Sequence, residues 1–152
     1  MKLAEALSRR SVLEDKINEL KTRLADNVKV QEGDEPFENP LNLIAELERV
    51  LQEFRKIVYR INITNTRTVV DGRSITDMLA ERDMLKKQTR ILSDTLASLT
   101  DRGNRYSRNE IKYVATIDPA ELRKIFDQSS AQLRKLDLRI QAIGWEAELL
   151  EE

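Results

Sequence analysis

PAELRKIFDQSSAQLRKLDLRIQAIGWEAELL, residues 119–150, is the stretch whose reading decides the fold. Within it Leu122, Phe126, Ser129, Leu133, Leu136, Ile140, Ile143, Ala147 and Leu150 recur at alternating steps of four and three residues. An average repeat of 3.5 residues, held over several heptads, marks a helix with one seam turned toward a partner helix. Asp118, Pro119 and Glu121 open the segment as N-cap, proline at the first helical position and acid at the third.

Working outward, three more stretches carry the same spacing. Leu3, Ala6, Arg10, Leu13, Ile17, Leu20 and Leu24 form one seam, and Ile44, Leu47, Leu51, Phe54, Val58, Ile61 and Asn65 a second. Ile75, Met78, Arg82, Leu85, Thr89, Leu92, Leu96 and Leu99 form a third. The spacing predicts helices over about 2–27, 40–66, 75–102 and 119–150. The expected fold is mainly all-α: four long antiparallel helices in a coiled-coil-like bundle, one domain over residues 1–152, with a small β element.

The breaks between helices are as informative. VKVQEGDEPFEN (28–39) interrupts the pattern with Gly33 and Pro36, and Asn39-Pro40 reads as a cap followed by proline at N1. TVVDGRSI (68–75) holds Asp71-Gly72 between β-branched residues, the cue for a hairpin with a type I′ turn over about 67–75. Ser74 and Asp77 stand as cap and N3 acid of the next helix. Ile111, Tyr113, Ala115 and Ile117 alternate with Lys112, Val114 and Thr116, which makes 111–117 a candidate strand. It needs a pairing partner, and another subunit is the preferred one.

Composition narrows the function. Twenty-six basic residues face 27 acidic ones, a net charge of −1, which argues against a general nucleic-acid binder. Such balance suits exposed i,i+4 pairs, as at Glu5–Arg9, Glu19–Arg23 and Asp83–Lys87. Cysteine and histidine are both absent, so thiol chemistry, disulfides and the commonest general base are excluded. Ser74 and Ser107 lack a histidine base, and bundle metal sites of the Glu-x-x-His kind cannot form. An all-carboxylate Mg²⁺ or Ca²⁺ site stays open, though no acidic spacing matches an EF-hand. MKLAEALSRR (1–10) has no apolar run of signal-peptide length, and no stretch approaches a bilayer span. A soluble, cytoplasmic protein without cofactor or metal is expected.

Polar residues on the seams are the candidate site. Counting levels along an up-down bundle brings Arg10, Asn62, Asn65, Asp77, Glu81, Arg82 and Glu146 toward the Asp71-Gly72 end. The simpler reading is that Arg10 and Arg82 pair with nearby acids, or reach outward, and set register or oligomer order. The sharper one is a pocket in which the two arginines grip an anionic ligand. A second candidate is the connection over residues 102–113. Arg102, Arg105, Arg108 and Lys112 interleave there with Tyr106 and Tyr113, a mixture able to stack on bases. Asp101 and Glu110 dilute it, so RNA binding ranks below an interface loop with both tyrosines buried. Trp145, beside Gly144, reads as a cover for the end of the core.

RINITN (60–65), DGRSITDMLAERDML (71–85) and RYSRNEIKYVATID (105–118), with MKLAEAL (1–7), KVQEGDEP (29–36) and GWEAELLEE (144–152), resemble a family of small uncharacterised bacterial proteins. Some of its members carry the label septicolysin. The resemblance spans essentially the whole chain and implies a soluble, helix-rich, oligomeric protein, with no catalytic residues to carry over. The label itself points to a thiol-activated cytolysin, and a chain without cysteine does not suit it.

The function expected from these readings is a non-enzymatic helical scaffold or adaptor that self-assembles. Its partner is a second copy of itself, not a membrane or nucleic acid. The alternative is a binding module for a small anionic ligand or RNA, through Arg10 and Arg82 or the 102–113 loop.

Overall fold

Asp118 begins the fourth helix as its side chain suggests: Oδ1 accepts the Ala120 N–H at 3.0 Å, and its carbonyl accepts the Leu122 N–H at 3.0 Å. Asn39 does the same for the second, its Oδ1 accepting the Leu41 N–H at 2.9 Å beside Pro40. In the first, the Glu5 carboxylate folds back onto the Lys2 N–H at 2.7 Å. Among the described residues four helices and one two-stranded sheet result: α1 (Leu3–Asn27), α2 (Pro40–Arg67), β1 (Val69–Val70), β2 (Arg73–Ser74), α3 (Ile75–Thr100) and α4 (Pro119–Glu146). The structure, a computed structural model, describes residues 1–100 and 111–151, with the side chain of residue 100 excepted. The sequence reads as one domain; contacts gather in two compact units, Met1–Ile75 with Ala142–Glu152, and Thr76–Gln141.

In the first unit α1 and α2 run antiparallel. Arg9 pairs with Glu53, Lys16 with Glu46 at 3.5 Å, and Arg23 with Glu38. Each step of seven along α1 is thus answered by a step of seven or eight back along the chain, from Glu53 and Glu46 on α2 to Glu38 just ahead of its cap. Leu3, Ala6, Leu13 and Leu20 are buried on α1, and Leu43, Ile57, Ile61 and Thr64 on α2. The second seam is therefore displaced by about one residue from the expected one. Ile44 and Leu51, read as core, lie on an exposed face, and Thr64 takes the buried place expected of Asn65. The apolar arc of α2 is wide enough to satisfy the 3-4 spacing in two phases, and periodicity alone does not choose between them.

The turn from α1 to α2 closes on Asn27, whose Oδ1 accepts the Glu38 N–H at 2.8 Å while Nδ2 donates to the Arg23 carbonyl at 2.8 Å. Asp71 (φ 52°) and Gly72 (φ 78°) both adopt positive φ, which a type I′ hairpin requires, and Val69 pairs with Ser74 and Val70 with Arg73.

The fourth helix ends at Glu146, short of the expected residue 150. From there the chain extends alongside Met1–Leu3. Leu3 N–H donates to the Ala147 carbonyl at 2.9 Å and Leu149 N–H to the Met1 carbonyl at 2.8 Å, bridging Lys2 and Glu148. These bonds replace the helical ones that residues 147–150 give up. Gly144 is buried beside Ala4, where an added Cβ would meet the Ala4 Cβ at 3.8 Å. Trp145 does not cover the core; it is 65% exposed.

The second unit is the α3–α4 hairpin. Thr89 and Ser129 hydroxyls meet at 2.7 Å, and Arg82 lies 3.7 Å from Asp137, which sets the helices antiparallel. Met78, Leu85, Leu96, Leu122 and Ser129 are buried. Residues 111–117 form no strand in this chain. Tyr113 is 80% exposed, against the expected burial, and Ile111 and Val114 are exposed with it. Alternation supplied the period of a strand, but a strand forms only where its backbone groups find a partner, and 111–117 is paired with no strand among the described residues.

Candidate functional site

The candidate residues are divided between the two units. Arg10, Asn62 and Asn65 belong to the first unit; Asp77, Glu81 and Arg82 belong to the second. Arg105, Tyr106 and Arg108 lie outside the described residues. Arg10 is half-buried, and its Nε is enclosed without a hydrogen-bond partner. Asn65 is half-buried and Asn62 exposed.

Arg82 is half-buried between two carboxylates, Asp137 at 3.7 Å and Asp83 at 3.8 Å. Its Nε, like Glu81 Oε2, is buried without a hydrogen bond, while Asp77 and Glu81 are partnered residues. Guanidinium and carboxylate so close attract at a distance slightly beyond hydrogen bonding, which positions a helix pair without locking it. The expected helix-surface pairs hold in part. Glu19 and Arg23 pair at 3.0 Å, whereas Arg9 reaches across to Glu53, leaving Glu5 to its capping role.

Sequence reasoning missed a polar clasp at the end of α2. Thr64 is fully buried; its hydroxyl donates to the Arg60 carbonyl at 2.8 Å and accepts the Leu150 N–H at 2.9 Å. Arg60 Nε donates to the Leu150 carbonyl at 3.2 Å and its terminal nitrogen to Glu151 at 3.3 Å. The correct phase of α2 would have pointed Thr64 inward, but its partner strand was hidden by reading 147–150 as helix.

Titration is perturbed at three acids. Arg23 holds the Glu38 carboxyl below the ordinary glutamate range. Lys16 and then Arg23 do so for Glu19, and Lys2 followed by the Met1 amine for Glu148. Glu38 in turn raises Arg23 above the usual arginine value. All are ion pairs at the edges of packed faces, none an acid–base pair in a cleft.

A further face of α2 carries exposed apolar residues. On α2, Leu41, Ile44, Glu48, Leu51, Arg55, Val58 and Asn62 follow one another at steps of three or four. Leu41, Ile44 and Leu51 are exposed and Val58 is half-buried. Shallow depressions lie along it, one reaching Glu48 and Leu51, another Phe54, Val58 and Asn62. Among the described residues no group of three His, Cys, Asp or Glu is placed to hold a metal ion, and no helix is long and apolar enough to cross a membrane.

A family model described as a family of unknown function (DUF6847) matches residues 10–149. The chain belongs to this family. Among solved structures, the chain is similar to one described as the crystal structure of a functionally unknown conserved protein from Corynebacterium diphtheriae. That protein is 44% identical over 99% of both chains, with a TM-score of 0.91. No curated protein matches the chain. Membership of an uncharacterised family thus rests on the match across nearly the whole sequence, while neither comparison carries the septicolysin label.

Proposed function

We propose that the protein is a cytoplasmic, non-enzymatic helical scaffold or adaptor that self-assembles into a homo-oligomer. The observation that carries this reading is the second seam of α2. Its Leu41, Ile44 and Leu51 are exposed in register over three turns, on the one helix whose opposite face is already packed on α1. Exposed apolar residues at coiled-coil spacing, interrupted by single charges, are what a helix presents to another helix. The absence of histidine and cysteine leaves an enzyme only Asp, Glu, Lys, Arg, Ser, Thr or Tyr to work with. A cytolysin role forms no part of the proposal. Light scattering at micromolar concentration is expected to return a multiple of the chain mass, and a single-chain mass would overturn self-assembly.

A second reading, a module for a small anionic ligand, is favoured by the enclosed, unbonded Nε of Arg10. A guanidinium nitrogen shut away from water without an acceptor is destabilising, and an oxyanion would relieve it. Titration calorimetry with inorganic phosphate tests this. Saturable heat that disappears in Arg10→Leu supports it, and no heat at millimolar phosphate overturns it.

A further inference from the structure

The exposed seam of α2 is self-complementary, and this decides which partner it takes and in which direction. Glu48 and Arg55 are the two charged residues on it, one heptad apart, with Leu51 midway between them. Neither charge makes a hydrogen bond or ion pair among the described residues. Their separation along the helix, about 10 Å at 1.5 Å per residue, is too long for them to satisfy each other. The acids of the opposite edge behave differently, since Glu46 and Glu53 both meet bases of α1.

We propose that α2 is an isologous interface, in which the seam packs against the same seam of a second copy, antiparallel, about a two-fold axis passing through Leu51. This deepens the self-assembly reading and rests on it. With Leu51 against Leu51, Ile44 of each copy opposes Val58 of the other, Leu41 falls level with Ile61, next to Asn62, and Glu48 falls level with Phe54, one residue or about 1.5 Å of helix from Arg55 and within reach of it. Leu51 meets its own copy on the axis, and every other opposed pair occurs twice, as two-fold symmetry demands. A parallel pairing would set Glu48 on Glu48 and Arg55 on Arg55, and like charges in direct opposition are disfavoured. The seam from Leu41 to Asn62 spans about 33 Å of helix. One helix face of that length falls at the lower end of specific interfaces in size.

The test uses the full chain, whose lack of cysteine makes single thiols clean reporters. Leu51→Cys, treated with a short thiol–thiol cross-linker at micromolar concentration, should give a covalent dimer. Leu138→Cys, exposed on α4, should not. Glu48→Arg alone should weaken the dimer at least about tenfold by light scattering, and Glu48→Arg with Arg55→Glu should restore it to within about threefold. Circular dichroism checks that each variant keeps the parental helix content. An oligomeric parent whose Leu51→Cys variant fails to cross-link, and whose mass ignores the charge reversals, would overturn the two-fold geometry and leave self-assembly standing. A monomeric parent would remove both.

Discussion

The α1–α2 and α3–α4 hairpins are built on the same 3-4 spacing yet specify their registers by opposite means. In α1–α2 the buried residues between the ends of the seam are apolar, the polar Asn27, Thr64 and half-buried Arg10 lying toward its ends, and the register is marked at its edge by Arg9–Glu53, Lys16–Glu46 and Arg23–Glu38. In α3–α4 the polar groups occupy the seam itself, with the Thr89–Ser129 hydroxyl pair at one layer and Arg82 beside Asp137 at another. An apolar seam tolerates a one-heptad slip, because leucine meets leucine again seven residues on; a buried hydroxyl meets its partner at one register only. The first hairpin is therefore expected to draw more on burial for stability, and the second to give up some of it for uniqueness.

The largest expected effect breaks the apolar side of this contrast. Leu20, with no exposed surface at the centre of α1–α2, should cost about 2–5 kcal/mol when changed to alanine, measured by urea unfolding. A cost below about 1 kcal/mol would mean that this hairpin is less well packed than its burial implies.

Next comes the hydroxyl pair. Thr89→Val should cost about 1–3 kcal/mol, since it strands the buried Ser129 hydroxyl, and Ser129→Ala less, since Thr89 is only half-buried. The double variant should be nearly neutral in stability but show poorer dispersion of amide resonances, the mark of a hairpin with more than one register. If single and double variants lose stability additively, the pair does not act as a register device.

The smallest effect is in the edge pairs. Glu38 and Glu148 are held below the ordinary glutamate range by Arg23 and Lys2, so in the folded state they stay ionised to lower pH than in the unfolded chain. Their contribution is fully present above the unfolded value near 4.3 and is lost as pH falls through the lowered folded value. Thermal unfolding should show the midpoint decline on acidification below about pH 4.5 become shallower in Glu38→Gln and Glu148→Gln. An unchanged slope in both would show that these exposed pairs leave pH dependence untouched.

Four helices, the Asn39 and Asp118 caps and the Asp71-Gly72 turn were legible in the sequence because each depends on local chemistry: spacing, a side-chain acceptor two residues from a free N–H, a residue pair that accepts positive φ. That the chain belongs to an uncharacterised family was legible for a different reason, the resemblance of motifs along its length, and a family of unknown function matches residues 10–149 without the septicolysin label. The candidate site was less so. Thr64, Arg60 and the strand that meets them escaped because nothing local in AELLE forbids another helical turn. It is the hydrogen bonds to Met1 and Leu3, from the far end of the chain, that draw Ala147 and Leu149 out of it.

By itself, then, the sequence determined the helices, their caps, the hairpin turn and the chemistry from which any active site would have to be built. The tertiary structure decided which phase of α2 is buried. Two seams one residue apart satisfy the same periodicity, and only the partner helix, through Leu13 and Leu20 and the ion pairs at its edge, selects the one holding Leu43, Ile57 and Ile61. That selection leaves Ile44 and Leu51 facing outward, because a helix packed against one neighbour buries one arc of its surface and exposes the rest.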